Sequence, residues 1–393
     1  MTLPRFLSFA LLPVSAVAQV EQGPPIADFA PAFAGQTRAP ALAPTPVETQ
    51  VFVEGLEHPW GIALLPGGRY LVTERPGRLR LVAADGALSD PIAGVPEVDD
   101  RRQGGLLDVA VADDFSETRR VWLSYAKLTG SGTVTAVATG VLSADESSLE
   151  EVRDIFVQTP GSRNPLHYGS RIVFEPGTEN IWITTGEHSG PRDRRLAQDL
   201  ETTYGKVVRV HRLTGEPVEG NPYMGADGLD EIWSYGHRNM QGAAVHPETG
   251  ALWTIEHGPR GGDELNLTQP GLNYGWPVIS YGINYSGTSV GSGEAVREGM
   301  EQPVYYWDPV IAPGGMVFYG GEMFPDLQGD LLIGGLVAAG VVRVRIEDGR
   351  VIGEERIAEG IGRVRDVEEA PDGSLLILID APNGAIERIV PAQ

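Results

Sequence analysis

Gly61-Ile62-Ala63-Leu64-Leu65-Pro66-Gly67-Gly68-Arg69-Tyr70-Leu71-Val72-Thr73-Glu74 carries the pattern that decides the fold. Two short alternating stretches flank a Pro-Gly-Gly turn, which is typical of paired antiparallel strands. Similar units recur along the chain, at irregular spacings of about 45 to 75 residues, as repeats with inserted loops would. They cover residues 107–125, 171–184, 242–255, 315–334 and 365–379.

Several units are followed by a further strand-like stretch, at 79–82, 205–210, 341–346 and 385–390. Short strands separated by tight turns, with little helical periodicity, predict a closed all-β architecture. Six units favour a six-bladed β-propeller, because a two-sheet sandwich, the competing fold, explains the recurrence less well. In a propeller, residues 50–54 would pair with the C-terminal strands and close the ring, removing exposed edges.

The chain has 393 residues, a formal net charge of −23 and no cysteine. The charge argues against binding to nucleic acid or to anionic membranes, because both repel an acidic protein. Without cysteine there is no disulfide, no thiolate metal ligand and no haem-attachment motif. A hydrophobic content of 41% is sufficient for a sizeable core.

The N-terminus has the three features of a secretory signal peptide. Arg5 supplies a positive charge, residues 6–14 form an apolar core, and Ala16-Val17-Ala18 is a small-residue cleavage site. We therefore predict a signal peptide over residues 1–18 and a periplasmic location, with a buried apolar segment as the alternative. The apolar core is too short to span a bilayer, and no other segment of the sequence is apolar enough to be a predicted membrane span.

Residues 19–47 are rich in Pro and Ala and show neither helical nor alternating periodicity. Such a composition predicts a disordered or extended linker. The propeller domain is accordingly expected over residues 48–393.

A second informative stretch is the loop 256–277, which places Asp263 and Glu264 among glycines and prolines. Carboxylates and backbone carbonyls can converge in such a loop, and oxygen ligands of this kind suit Ca²⁺. The spacing meets no complete metal-loop template, so a turn with solvated acids stays open as the alternative.

Polar residues also stand just before the repeated strands, where propeller loops surround the mouth of the central channel. His167 precedes the third unit and is a candidate general base, with Glu187 placed to orient it. Gln103 lies in a Gly-rich stretch before the second unit. A structural histidine and a plain turn are the respective alternatives.

Two arginine-containing pairs are further candidates. Arg238 and Asn239 offer a guanidinium fork and an amide, although a surface salt bridge and a turn would look the same. Arg363 and Arg365 lie two residues apart, so on a strand they share one face. Two like charges on one face require either an anion or open solvent.

Taken in order, seven segments resemble the soluble PQQ-dependent dehydrogenases of the glucose/sorbosone dehydrogenase family, and among them the periplasmic aldose sugar dehydrogenases. These segments are HPWGIALLPGG, QGGLLD, HYGSR, YGHRN, EHGPRGGDELN, NYGWP and RVRD, and the resemblance covers residues 51–390. It implies a six-bladed propeller with pyrroloquinoline quinone (PQQ) and Ca²⁺ at its mouth. It also implies oxidation of aldose sugars to lactones, an external electron acceptor, and a monomer or homodimer.

The resemblance further implies roles for individual residues. His167 matches the general base, and Arg238 matches a catalytic residue beside the quinone. Gly258 and Pro259 match calcium ligands through their carbonyls, and Glu264 and Tyr274 match a second calcium position. The implied cofactor contacts are Gln103, Arg238, Asn239, Tyr285, Leu336, Val337, Ala338, Arg363 and Arg365.

One loop departs from the family pattern. Relatives can carry a lysine where residues 335–340 have no charge, so the backbone amides of Val337 and Ala338 are the predicted substitutes.

Two other functions stay open at this point, because fold does not decide function. A Ca²⁺-dependent propeller hydrolase, such as a sugar lactonase, would not need the arginine pairs. A non-catalytic propeller that binds sugars or a partner protein would not need His167 and Gln103 beside the metal loop.

Overall fold

The computed structural model describes residues 18–393, which form six small antiparallel sheets. The arrangement confirms the predicted six-bladed β-propeller and excludes the two-sheet sandwich. The predicted signal peptide lies outside the described residues, apart from Ala18. Among residues 18–393, no helix combines the length and the apolar character that crossing a bilayer requires.

The strands follow one another blade by blade along the chain, except that the first strand, β1 (Val47–Leu56), joins the last sheet. Blade 1 contains β2 (Pro59–Leu65), β3 (Arg69–Glu74) and β4 (Arg78–Val82). Blade 2 contains β5 (Leu106–Val111), β6 (Arg120–Thr129), β7 (Gly132–Leu142) and β8 (Leu149–Val157). Blade 3 contains β9 (Gly169–Phe174), β10 (Asn180–Thr185), β11 (Lys206–His211) and β12 (Ile232–Tyr235).

The remaining blades repeat this order. Blade 4 contains β13 (Met240–Val245), β14 (Leu252–Glu256), β15 (Asp263–Leu267) and β16 (Tyr305–Trp307). Blade 5 contains β17 (Pro313–Phe318), β18 (Leu331–Gly335), β19 (Gly340–Glu347) and β20 (Arg350–Ile357). Blade 6 contains β21 (Val364–Glu369), β22 (Leu375–Ile379) and β23 (Gly384–Pro391), together with β1. The helices are α1 (Phe115–Thr118) and two short 3-10 helices, Asp193–Gln198 and Pro325–Leu327.

Each sequence repeat forms the two innermost strands of one blade. Two connections are more elaborate than the tight turn predicted from the sequence. In blade 2 the first and second strands are joined through α1, whose Phe115 is buried in the core. In blade 5 the connection contains the 3-10 helix Pro325–Leu327, whose Leu327 is likewise buried.

The ring is closed by pairing the two ends of the domain. Strand β1 runs antiparallel to β23, with Val47 opposite Pro391 and Leu56 opposite Gly384. This pairing includes residues 50–54, as predicted. The innermost strands β2, β5, β9, β13, β17 and β21 contact one another in sequence, and β21 contacts β2 again.

The core lies between neighbouring blades, so that middle strands are covered on both faces. In β22, Leu375, Leu376, Ile377 and Leu378 are all buried, which explains a continuous apolar run where a half-exposed strand would alternate. Each such side chain contributes about 1.5–3 kcal/mol by leaving water.

All six innermost strands start at the same end of the propeller, which we call the cavity face. The loops that lead into these strands, and those that join the second and third strands of each blade, therefore gather at this face. This topology brings residues that are distant in sequence to one mouth.

Residues 19–46 are packed against blades 4 and 5, and residues 19–40 form a loop whose ends meet in an antiparallel bridge between Gln19 and Pro40. Asp308 accepts hydrogen bonds from the backbone N–H groups of Ile26 (2.9 Å) and Ala27 (2.8 Å). Gln36 is fully buried and donates to the Pro303 carbonyl at 2.9 Å. Composition predicted a disordered or extended linker, whereas the structure gives this segment a looped course with specific contacts.

Candidate active site

A cavity of about 440 Å³ opens at the centre of the cavity face. Most of the catalytic and cofactor-binding residues predicted from the sequence line it, although they come from different blades. These residues are Gln103, His167, Arg238, Asn239, Tyr285, Leu336, Arg363 and Arg365.

His167 stands on the wall of this cavity with one ring nitrogen engaged. Its Nδ1 atom lies 3.1 Å from Oε1 of Glu187, and both residues are buried. An ionised carboxylate can only accept a hydrogen bond, so Nδ1 carries the hydrogen and Nε2 is left as the acceptor. Nε2 has no hydrogen-bond partner among residues 18–393. It is therefore the atom of His167 that can accept a proton in the cavity.

The backbone at His167 is held in an unusual conformation. Its φ is +46°, a region that non-glycine residues seldom adopt. Oε1 of Gln103 accepts a hydrogen bond of 2.8 Å from the His167 amide, and a Cβ atom at Gly186 would overlap the His167 carbonyl. Gln103 and Gly186 therefore position the imidazole.

Burial and charge keep the imidazole neutral. Burial lowers the pKa of His167 below its ordinary value, and the neighbouring Arg238 lowers it further, while Glu187 acts in the opposite direction. The pKa of Glu187 is lowered as well: burial opposes its ionisation, but His167 and Arg238 outweigh that cost. The pair is thus a carboxylate beside a neutral imidazole.

Arg363 and Arg365 are held by a carboxylate that the sequence had not singled out. Asp380 accepts hydrogen bonds from Arg365 at 3.2 Å and Arg363 at 3.3 Å, and contacts Nδ1 of His58 at 2.8 Å. Burial opposes its ionisation, yet Arg365, His58 and Arg363 lower the pKa of Asp380 to about 2. The aspartate fixes both guanidinium groups at the mouth without using all their donors.

The buried arginines retain unused donors. The Nε atoms of Arg238 and Arg365 are buried and have no hydrogen-bond partner among residues 18–393. Other donors of these side chains are used: Arg238 bonds to the His257 carbonyl at 2.8 Å, and Arg365 to Oε1 of Gln241 at 2.7 Å. A buried, unpaired guanidinium donor is costly. A planar polycarboxylate such as PQQ suits this cradle, because the side chains of Arg238, Arg363 and Arg365 line the same cavity.

The floor beneath the cavity is an ion-paired cluster in the propeller channel. Arg171 bonds to Asp108 at 2.8 Å and to Asp366 at 2.9 Å, and its guanidinium lies 4.5 Å from the centre of the Trp60 ring. The three charged residues come from β9, β5 and β21, so the cluster ties three blades together. Burial raises the pKa of Asp108 to about 6, although Arg171 opposes the shift.

The predicted metal residues lie together in a small cleft beside the cavity. Gly258, Pro259, Glu264 and Tyr274 line this cleft, and Arg238 and His257 border both spaces. The hydroxyl of Tyr274 donates to the Leu267 carbonyl at 2.7 Å and accepts from the Gln269 amide at 2.8 Å. Since the hydroxyl is engaged, the carbonyl of Tyr274 is the oxygen that remains for a cation.

The charges in this cleft suit a cation. Burial and the neighbouring Glu256 raise the pKa of Glu264 well above its usual range. The Oδ1 atom of Asn266 is buried there without a hydrogen-bond partner among the described residues. Residues 18–393 hold no cluster of three or more His, Cys, Asp or Glu side chains poised for a metal. A Ca²⁺ site here would therefore rest mainly on carbonyl and amide oxygens, which this ion accepts.

Two predicted cofactor contacts are differently placed. Leu336 lines the cavity, but Val337 and Ala338 do not. Their amides were predicted to substitute for a missing lysine, and this is wrong, because both donate to the Ile311 carbonyl, at 3.0 and 3.1 Å. The loop closes a turn with these two donors, so neither is left for a ligand.

The cavity also contains residues that were not predicted. His58 and Trp60 belong to the segment HPWG, which contributed to the resemblance without receiving a role. Asp380 lies in the loop between the second and third strands of blade 6, a position that always faces the cavity in this topology. The unpredicted lining residues are His58, Trp60, Arg75, Gln241, His257, Ala312, Asp380 and Pro382.

Comparison with known proteins agrees with this fold. The family model for glucose / sorbosone dehydrogenase matches residues 56–388. The aldose sugar dehydrogenase YliI of Escherichia coli (strain K12) is 43% identical over 355 residues, which is 89% of this chain and 94% of that protein.

Two solved structures are similar over most of the chain. The soluble aldose sugar dehydrogenase of Escherichia coli in its apo form matches with a TM-score of 0.84 at 42% identity, covering 88% of this chain and 100% of that one. The PQQ-bound aldose sugar dehydrogenase of Streptomyces coelicolor matches with a TM-score of 0.72 at 26% identity, covering 88% and 99%. With the propeller, the cavity and these matches together, the chain belongs to the glucose/sorbosone dehydrogenase family.

Proposed function

We propose that this protein is a PQQ-dependent aldose sugar dehydrogenase, an oxidoreductase that converts the anomeric CH–OH of an aldose into a lactone. One observation carries the proposal. His167, oriented by Glu187, and the guanidinium side chains of Arg238 and Arg365 line one cavity. The similarity to enzymes named for this activity, one of them PQQ-bound, supports it.

The residues that would hold PQQ are the arginines and amides of the cavity, namely Gln103, Arg238, Asn239, Arg363 and Arg365, with Tyr285 and Leu336 at its edge. The cleft formed by Gly258, Pro259, Glu264 and Tyr274 would hold Ca²⁺. When bound, PQQ accepts the hydride and Ca²⁺ polarises the quinone as a Lewis acid, which is redox chemistry that no side chain of this chain supplies.

His167 performs the proton transfer. The proton of the anomeric hydroxyl passes to Nε2, and the C1–O bond becomes a carbonyl as the C1 hydrogen leaves with its electron pair. Glu187 stabilises the imidazolium that results, because it is ionised and bonded to Nδ1. General-base catalysis of this kind contributes about 10²–10⁴-fold to the rate.

Arg238 has a second role through its position between the two spaces. Its side chain borders both the cavity and the cation cleft, and it lies close enough to His167 to lower the pKa of that residue. It therefore favours the unprotonated base before the reaction and places a positive charge beside the negative charge that develops during it.

The alternative functions explain these features less well. A Ca²⁺-dependent lactonase would not require the unpartnered guanidinium donors beside His167. A binding propeller would not require an imidazole whose tautomer is set by Glu187 and whose backbone is held by Gln103.

The predicted signal peptide supports a periplasmic location for this reaction. Because the chain has no cysteine for haem attachment, the electrons are passed to an external acceptor. The test is reconstitution of the purified protein with PQQ and Ca²⁺, followed by dye reduction with a panel of aldoses. We expect sugar-dependent reduction and a change in quinone absorbance; neither signal after reconstitution would contradict the proposal.

A further inference from the structure

Arginines without a carboxylate partner are concentrated on one face of this protein. Most arginines in residues 18–393 form ion pairs, as expected for an acidic chain of net charge −23. The exceptions away from the cavity face are Arg38, Arg153 and Arg350. All others that have no ion pair within those residues lie in loops of the cavity face: Arg75, Arg102, Arg163, Arg192, Arg194, Arg195, Arg238 and Arg260.

Arg194 and Arg238 point inward, and each lies near the ring of Trp276, at 5.6 and 5.1 Å. The other six form what we call the arginine rim, of which five are exposed and Arg75 is half-buried at the cavity wall. The rim consists of Arg75, Arg102, Arg163, Arg192, Arg195 and Arg260.

The rim spans a broad arc around the mouth. Arg75 belongs to blade 1 and donates a hydrogen bond to the carbonyl of Arg102, in the loop before blade 2. Arg163 lies in the loop before blade 3, and Arg192 and Arg195 lie in the loop within that blade. Arg260 belongs to blade 4, where its backbone pairs with Ile283 near the mouth residue Tyr285.

Several acids of these loops are occupied internally. Asp99 pairs with Arg101, and Asp193 accepts hydrogen bonds from Ser162 at 2.6 Å and Asn164 at 3.0 Å. Exposed acids also occur on this face, some of them in the same loops as the rim arginines: Glu97, Asp100, Asp199, Glu201 and Glu359.

The opposite end of the propeller has the reverse character. Its hairpins expose Asp113, Glu179, Glu248 and Asp348. The molecule is therefore charge-polarised along its axis, with its free positive charge around the cavity.

We propose that the arginine rim is the docking surface for an acidic electron-acceptor protein that receives electrons at the cavity mouth. This inference rests on the proposed function, which requires an external acceptor. A sugar is too small to touch arginines spread from blade 1 to blade 4, whereas the footprint of a protein matches that arc. At 0.15 M salt the Debye length is about 8 Å, so a docking partner senses the charges of this face and not those of the opposite end.

The experiment measures acceptor binding and reduction separately. The probe is an acidic cytochrome c, with a basic cytochrome c and uncharged 1,4-benzoquinone as comparison acceptors. The variant is R163E/R192E/R195E, which reverses exposed charges that make no ion pair and belong to no part of the catalytic site. The matched control is Arg350→Glu, on the hairpin between β19 and β20 at the opposite end.

We expect the triple variant to lower the second-order rate constant for the acidic cytochrome at least tenfold, within the range that charge steering provides. Turnover with benzoquinone should stay within about twofold of wild type, and Arg350→Glu should change neither rate. Equal rates for the triple variant and the control would overturn the docking surface.

Failure of the proposed function has a different signature, because wild-type protein with PQQ and Ca²⁺ would then not reduce benzoquinone. The docking surface is tested in that case by titrating the acidic cytochrome against the protein without sugar. Binding that the triple variant loses supports the rim as a docking surface. Binding that the variant retains, or no binding by wild type, overturns it.

A triple variant that loses kcat/KM for glucuronate but reduces the cytochrome as wild type does would overturn the docking surface and assign the rim to anionic sugars.

Discussion

Nδ1 of His167 lies 3.1 Å from Oε1 of Glu187, and this contact decides which ring nitrogen faces the cavity. The carboxylate also raises the pKa of the imidazole against the effects of burial and Arg238. Glu187 is thus a positioning residue, since it acts on the substrate only through His167.

Glu187→Gln should lower kcat/KM about tenfold or more, because the amide holds the ring but no longer stabilises the imidazolium. It should also move the acid limb of the pH profile to lower pH, since removing the negative charge lowers the pKa of His167 further. Profiles of kcat/KM against pH measure both effects. If the acid limb does not move, Glu187 has a purely structural role. The control is Glu201→Gln, a change at an exposed residue in the same loop of blade 3.

The wild-type profile itself carries a prediction. His167 must be neutral to accept a proton, and its pKa is below the ordinary value of 6.5 because of burial and Arg238. The acid limb of kcat/KM should therefore have its midpoint below pH 6.5. An acid limb with a midpoint above 6.5 in kcat/KM would exclude His167, as assigned here, as the base.

His167→Ala separates binding from chemistry. The variant should retain PQQ affinity, because the guanidinium donors are intact, and should lose about 10²–10⁴-fold in kcat. Quinone absorbance on titration measures binding, and single-turnover reduction by sugar measures chemistry. Unchanged turnover would remove His167 from its role.

The fold was predictable because its signals are local. The Gly61–Glu74 pattern and its repeats require only neighbouring residues to be recognised, and ring closure follows from a strand left over at each end. The contacts of residues 19–46 were not predictable, because composition does not reveal that Asp308 and the pocket for Gln36 lie on distant blades.

Site residues that lie in recognisable sequence motifs could be predicted. Residues that enter the site through contacts between different blades could not. His167 and Arg238 stand in recognisable segments. Asp380 follows an ordinary strand, and only the folded ring places it beside Arg365. The same limit applies to Val337 and Ala338. The sequence does not show that their backbone amides donate hydrogen bonds to the Ile311 carbonyl.

Glu264→Gln tests the cation cleft. Ligand that binds only the folded state raises stability by RT ln(1 + [L]/Kd), so wild-type Tm should rise with Ca²⁺ concentration. The variant should lose most of this rise, because the change exchanges a carboxylate oxygen, a preferred Ca²⁺ ligand, for a neutral amide. Glu248→Gln, on an exposed hairpin at the opposite end, should respond as wild type does. A full Ca²⁺ response in Glu264→Gln would place the ion elsewhere.

Asp380→Asn tests the clamp on the two arginines through its pH dependence. The folded-state pKa of Asp380 is about 2, below the ordinary value of 3.8. A depressed carboxylate pKa adds stability that is present above the unfolded value and is lost as the pH falls through the folded one. The variant should therefore cost about 1–2 kcal/mol at pH 7, after allowance for partial exposure, and progressively less between pH 4 and pH 2. Urea unfolding at several pH values measures the difference, and a cost that stays constant down to pH 2 would show that Asp380 acts through shape and not through charge.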